Sequence, residues 1–397
     1  MPALPESLKN KFSENAEKIQ VSGIREFDNQ ISNIDGLIKL TLGEPDMDTP
    51  EHVKQAAIAS IANNDSHYGP QAGKKELRQA IGNFLKKTIG VTYDPDTEID
   101  VTVGASEALA ASILALANPG DKFIIPTPIF SFYWPMVSLG GAESVLVDVS
   151  EDDFILTPEK LEQVLAKEGP NVKAVILNYP SNPTGVEYTK EQIKALAKVI
   201  KAHDLFVITD EIYSGLTYEL KHYSIAREIP ERTIFVSGLS KSHAMTGYRL
   251  GFMAGPQAAM AQIGKIHGFL VATASNASQA AALEALTNGL DDIEKARQKY
   301  EKRRNYVYEA LQEMGLEAVK PQGAFYIFIK APDSYHNDGH QFALDLANKA
   351  KVGVIPGDAF GPGGEGYVRL SYAASDESLH EALGRMKRFL EEGNNHD

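Results

Sequence analysis

Residues 237–251 read Ser237-Gly238-Leu239-Ser240-Lys241-Ser242-His243-Ala244-Met245-Thr246-Gly247-Tyr248-Arg249-Leu250-Gly251. One apolar run, Thr233–Ser237, ends where this stretch begins, and another, Leu250–Gly255, starts where it closes. A lysine therefore lies just past a strand, with an arginine eight positions on. A solvated loop lysine is the plain alternative. Small residues crowd this one, however, and a buried strand follows directly. A free lysine amine titrates near about 10.4, and burial or a nearby cation lowers that value. A lysine so tuned condenses with carbonyl groups. Arg249 suits a phosphate, which a guanidinium grips with two parallel hydrogen bonds.

Working outward, the runs Ile99–Gly104, Lys122–Pro126, Ser144–Val149, Ala174–Tyr179 and Leu205–Asp210 join the two above as strands. They are continuously apolar rather than alternating, which predicts burial on both faces of a mainly parallel sheet. Helical patterns lie between them. Ser106–Leu116 is one, a second opens at Thr157-Pro158, and a third opens at Thr189-Lys190-Glu191-Gln192 with the spacing of a capping box. Such alternation predicts an α/β fold with helices on both faces. Past Asn288-Gly289 the pattern changes. A charged helix over Asp291–Met314 carries Ala296, Tyr300, Val307, Leu311 and Met314 on one face, and its charges are expected to face solvent. Strands Ala324–Ile329 and Tyr367–Tyr372 and a helix over Glu377–Glu392 follow. The expected division is a large domain over 46–290 and a smaller α+β domain over 291–397. The segment 1–45 is expected to join the smaller domain, and the tail Glu391–Asp397 to fray.

Composition narrows the function. The chain has 397 residues, enough for a large core. Lys plus Arg is 39 against 53 for Asp plus Glu, a formal charge of −14, which argues against nucleic-acid binding and against an anionic membrane surface. With no cysteine, disulfides, thiolate metal sites and cysteine nucleophiles are excluded, and a cytoplasmic setting is expected. Met1–Phe12 lacks the apolar core of a signal peptide, and no apolar run reaches membrane-spanning length. Two patterns mislead. Gly361-Pro362-Gly363-Gly364-Glu365-Gly366 matches a dinucleotide fingerprint but runs into a strand instead of a helix. His336 and His340 flank Asn337-Asp338-Gly339, a turn that breaks the helix a metal pair needs.

The stretch 237–251 resembles the lysine signature of the class I/II aminotransferases, pyridoxal-phosphate enzymes of fold type I, and in wording it is similar to bacterial aromatic amino acid aminotransferases. Further stretches also match that family. Gly104-Ala105-Ser106 ends a strand and opens a helix, an anion cradle on physical grounds alone. Asn178-Tyr179-Pro180-Ser181-Asn182-Pro183-Thr184-Gly185 is a turn after a strand. Thr209-Asp210-Glu211-Ile212-Tyr213 places an acid at a strand's carboxyl end, where ligands bind in parallel sheets. Leu42-Gly43-Glu44-Pro45-Asp46 and Val368-Arg369-Leu370-Ser371 complete the set.

The resemblance implies pyridoxal 5'-phosphate as cofactor and a fold with a large, mainly parallel-sheet domain and a smaller α+β domain. It implies catalytic roles for Lys241, which carries the cofactor and moves the proton, for Asp210 at the ring nitrogen, and for Tyr213 at the phenolic oxygen. Gly104, Ala105, Ser106, Ser240 and Arg249 would hold the phosphate. Phe130 would stack on the ring, and Asn182 would bond the same phenolic oxygen as Tyr213. Gly43, Asn182 and Arg369 would receive the substrate carboxylate. Tyr68 would reach the phosphate of a neighbouring subunit, which implies a homodimer with shared sites. Gly238 stands where the family often has a serine, and Glu211 is given solvent exposure and no role. The resulting expectation is an amino group moved from an aromatic amino acid to a 2-oxo acid such as 2-oxoglutarate. The alternatives are an N-acetyl-diaminopimelate or aspartate aminotransferase and, in another class, a cystathionine-type C–S lyase. Ile24 and Phe130, with Tyr68 close by, favour the aromatic donor, while Arg25 is suited to a second carboxylate.

Overall fold

The computed structural model describes residues 2–393. Strands β1 to β7 are Ile38–Lys39, Ile99–Thr102, Lys122–Thr127, Glu143–Asp148, Val172–Asn178, Phe206–Asp210 and Thr233–Gly238. Strands β8 to β13 are Gly251–Ala254, Ala318–Val319, Tyr326–Lys330, Val352–Gly353, Ile355–Pro356 and Tyr367–Ser371. Seven of them form one sheet in the order β2-β8-β7-β6-β5-β3-β4. Within it β8 runs antiparallel to both neighbours, and every other pairing is parallel. The central strands β5, β6 and β7 are buried along nearly their whole length, as their unbroken apolar runs require.

Helix starts follow local chemistry. Thr157 accepts a hydrogen bond from Lys160 N ahead of the helix Pro158–Glu168. Thr189 and Gln192 form a reciprocal capping box ahead of Lys190–Ala202. The helix after β2 begins at Gly104 and not at Ser106, so β2 is two residues shorter than its apolar run. No Ser106 side-chain cap forms there. Glu107 instead accepts from Val103 N at 3.1 Å.

A second sheet, β12-β13-β10-β9, is antiparallel throughout. Strand β1 pairs in parallel with β11, which ties the first part of the chain to its last third. One apolar cluster accordingly holds Phe27, Ile31 and Leu40 together with Val307, Phe328 and Leu383. The helix Leu290–Glu313 buries Ala296, Tyr300, Val307 and Leu311 as expected. Its charges are not all solvated, which corrects the sequence expectation. Arg303 is buried against Asp46 and Asp376, and Arg304 is buried against Glu219. Burying a guanidinium is costly unless it is paired, and Arg303 meets Asp46 through two bonds of 2.7 Å. The last helix runs Asp376–Gly393, so Glu391 continues it, while residues 394–397 of the tail lie outside the described residues. Among the described residues, no helix is long and apolar enough to cross a membrane.

Candidate active site

The carboxyl ends of β2, β3, β5, β6 and β7 open onto one cleft, about 1160 Å³ in volume. That is where an α/β sheet presents its loops to ligands. The structure brings twelve of the thirteen residues singled out above to this cleft or its immediate wall. Gly104 is on the wall, and Tyr68 is the exception, being 91% exposed and outside the cleft.

The turn after β2 forms an anion cradle. Gly104 has a φ of +77°, and a Cβ there would fall 2.6 Å from Arg249 Nη2. A Cβ at Gly251 would fall 2.5 Å from Ala105 N, so bare backbone closes the other side. Arg249 is exposed, and its one hydrogen bond among the described residues goes to the Thr246 carbonyl at 3.0 Å, which leaves donors free for a ligand. Backbone N–H groups at the start of Gly104–Leu116 and a free guanidinium fit a phosphate. Gly238 has a structural cause: a Cβ would fall 3.0 Å from Gly251 Cα, because β7 and β8 pair closely at that point.

Lys241 lies at the floor of the cleft and donates to Gly43 O at 2.7 Å. Burial lowers its pKa, Arg369 adds to the effect, and the value falls to about 8. Asp210 is buried at the end of β6. Burial pushes its carboxyl up to about 6, even though Tyr133 OH at 2.9 Å and Ile212 N at 3.1 Å both donate to it. Asn182 N donates to Asn178 Oδ1 at 3.0 Å, which fixes the turn after β5.

Arg369 is buried on β13 and reaches across the cleft floor. It donates to Asn182 Oδ1 at 2.8 Å and to Thr41 O at 2.5 Å, while its Nε is buried with no partner. The rings of Tyr326 and Phe360 lie 4.4 and 4.8 Å from the guanidinium carbon. Tyr213 OH meets Tyr326 OH at 2.9 Å. That second hydroxyl occupies the place of a side chain at Gly43, where a Cβ would lie 1.7 Å away. Gly43 is therefore fixed by close approach. Phe130 lies on the cleft wall, stacked on Phe132 with ring centres 6.1 Å apart.

Three features escape a reading of the sequence. Tyr133, three residues after Phe130, anchors Asp210 from 77 positions away. Tyr326 braces Tyr213 from inside an apolar strand. Glu211 is fully buried, contrary to the exposure expected of it. Its neighbours explain this: Thr209 Oγ1, Ser224 Oγ and Tyr179 OH all donate to Oε1, and His222 meets Oε2.

With this geometry established, comparison with known proteins gives a consistent result. Residues 35–386 match the family described as aminotransferase class I and II. The chain is 45% identical over 383 residues to a probable N-acetyl-LL-diaminopimelate aminotransferase of Bacillus subtilis, covering 96% of each chain. It is 39% identical to aromatic-amino-acid aminotransferase 2 of Thermococcus litoralis, covering 96% of this chain and 98% of that one. The solved structure of an aspartate aminotransferase from Thermus thermophilus with maleate aligns with a TM-score of 0.90 at 37% identity, over 95% of this chain and 99% of that one.

Proposed function

The chain belongs to the class I and II aminotransferases, and on that premise we propose that its donor is an aromatic amino acid and its acceptor a 2-oxo acid such as 2-oxoglutarate. It is a pyridoxal-phosphate-dependent transaminase of fold type I that exchanges an amino group between an amino acid and a 2-oxo acid. The cofactor supplies an electron sink for the charge left when a proton leaves the substrate Cα.

The chain's own residues do the rest in this proposal. Gly104, Ala105, Ser106, Ser240 and Arg249 hold the phosphate. Phe130 would lie against the cofactor ring, and Asn182 and Tyr213 would bond its phenolic oxygen. Asp210, whose carboxyl burial raises to about 6, would hold the ring nitrogen protonated. Lys241 would hold the cofactor, and its amine would move the proton at Cα, a task suited to a base whose pKa is lowered to about 8. Arg369 clamps the α-carboxylate, with Asn182 and Gly43 beside it. The unpaired, buried Nε of Arg369 supports that role, since it is a donor waiting for an acceptor.

The observation that carries the aromatic reading is the set of apolar and aromatic side chains that line the cleft, among them Ile24, Phe130, Phe132, Trp134 and Met136. A flat apolar side chain gains area there. A second reading, an acylated diamino dicarboxylic donor, is favoured by Arg25, which lines the same cleft with no carboxylate partner among the described residues, and by the Bacillus subtilis relative. Specificity constants for phenylalanine, aspartate and N-acetyl-LL-diaminopimelate with 2-oxoglutarate decide between them. An aspartate or acylated donor preferred by about tenfold, or about 1.4 kcal/mol, refutes the aromatic choice and leaves the transaminase in place.

We further propose a cytoplasmic homodimer in which Tyr68 serves the site of the second copy. Tyr68 and Phe269, 91% and 95% exposed, are rings that a partner would cover. The division into a large domain over 46–290 and a smaller one over 291–397 joined by 1–45 belongs to the same proposal. The shared core of Phe27, Leu40 and Phe328 supports it.

A further inference from the structure

Behind the cleft lies a buried charge cluster that the reaction does not use. His222 Nδ1 meets Glu187 Oε2 at 3.0 Å, and His222 Nε2 meets Glu211 Oε2 at 2.6 Å. Both glutamate side chains are fully buried, and the histidine is nearly so. A neutral imidazole has one N–H and would leave its other nitrogen without a proton to share. An imidazolium donates to both carboxylates. Burial works against that charge, but the charges of Glu187 and Glu211 outweigh it and hold the pKa up to about 10.

The cluster joins the two segments that carry Asn182 and Asp210 through a third that lies outside the cleft. Glu211 follows Asp210 directly in the chain. Tyr179, which donates to Glu211 at 3.2 Å and accepts from Ile225 N at 2.8 Å, opens the turn that carries Asn182. Glu187 lies just beyond that turn, and its N–H donates to Gln322 Oε1 at 3.0 Å. The same turn is stitched to β6, because Asn178 Nδ2 donates to Asp210 O at 3.0 Å. The rings of Tyr179 and His222 pack with centres 5.2 Å apart.

We propose that Glu187, His222 and Glu211 form a positioning cluster that fixes Asp210 and Asn182 relative to one another, with His222 acting as its central cation. None of the three touches the reacting atoms. In this proposal the cluster reinforces the direct Asn178–Asp210 bond between the ends of β5 and β6, so that the two strand ends act as one wall. This rests on the reading that Asp210 and Asn182 face the cofactor ring.

The test uses the full chain stripped of cofactor and titrated with pyridoxal 5'-phosphate. His222→Gln removes the cation while keeping a donor. Tyr179→Phe removes only the hydroxyl that links the turn to Glu211, and keeps the buried ring should His222→Gln not fold. The expected result is a cofactor dissociation constant raised about tenfold or more in His222→Gln and about three- to tenfold in Tyr179→Phe, the scale of one displaced hydrogen bond. Both variants should alter the visible circular dichroism of the bound cofactor in the same direction, because the groups around the ring have moved. His222→Lys, which keeps a cation, should recover part of the affinity lost in His222→Gln. Dissociation constants within twofold of wild type and unchanged dichroism, with only the melting temperature lowered, would overturn the proposal and leave the cluster a purely stabilising one. A wild-type chain that takes up no cofactor would instead refute the assignment of the site.

Discussion

Tyr133→Phe tests how the ring-facing acid is tuned. Tyr133 is fully buried and donates to Asp210 Oδ2 at 2.9 Å. Burial and the nearby Asp210 charge keep its pKa well above the ordinary tyrosine value, so the phenol stays protonated and remains a donor. Phenylalanine fills the same space, and the substitution removes one hydrogen bond and little packing. A hydrogen bond to a charged group contributes about 1.5–3 kcal/mol. At about 1.4 kcal/mol per factor of ten, its loss makes Asp210 roughly ten- to a hundredfold harder to ionise. Burial already pushes Asp210 up to about 6, and Ile212 N then remains to donate to it. Around neutral pH a large part of the population would hold a neutral acid opposite the ring nitrogen. The assay is the single-turnover half-reaction with phenylalanine, followed by cofactor absorbance between pH 6 and 9. The half-reaction should slow about two- to tenfold at pH 7 and recover towards pH 9 as Asp210 ionises. A variant with wild-type rates at every pH would show that Tyr133 does not tune Asp210.

Asp210→Asn keeps the shape but loses the charge at every pH, so its half-reaction should stay slow at pH 9, where Tyr133→Phe recovers; equal pH profiles for the two would contradict the charge argument. Arg369→Lys replaces a planar fork with a point charge, and should weaken phenylalanine, aspartate and other amino donors by similar factors in specificity constant, since the α-carboxylate is common to all. Lys241 is protonated below about 8, so the rate of cofactor loading should rise about tenfold per pH unit up to that value and then level off. A rate still climbing at pH 10 would mean that the amine is not desolvated.

The parts of the fold legible in sequence were those set by local chemistry. The apolar runs at β5, β6 and β7 could only be strands buried on both faces, and Thr189 with Gln192 marked a helix start. The acid at the end of β6 and the lysine past β7 were visible because a strand's carboxyl end is a local feature. What stayed hidden depends on partners distant in the chain. Arg303 and Arg304 look like surface charges until Asp46 and Glu219 are brought to them across 257 and 85 residues. Glu211 looks like a solvated neighbour of Asp210 because three hydroxyls and an imidazole reach it only in the folded chain. Tyr326 reads as one more core residue of β10, and its hydroxyl gains meaning only where it meets Tyr213. The strand Leu250–Gly255 gave no sign of running antiparallel, since a buried run has the same composition in either direction.

The central claim is that Lys241 carries the cofactor. Borohydride reduction of the yellow holoenzyme, followed by peptide mapping, tests it most directly. The account predicts one modified peptide, labelled at Lys241, and a Lys241→Ala variant that still binds pyridoxal 5'-phosphate through Arg249 and the Gly104–Ser106 turn but loses turnover by orders of magnitude. A label on any other lysine, or normal turnover in Lys241→Ala, would contradict it.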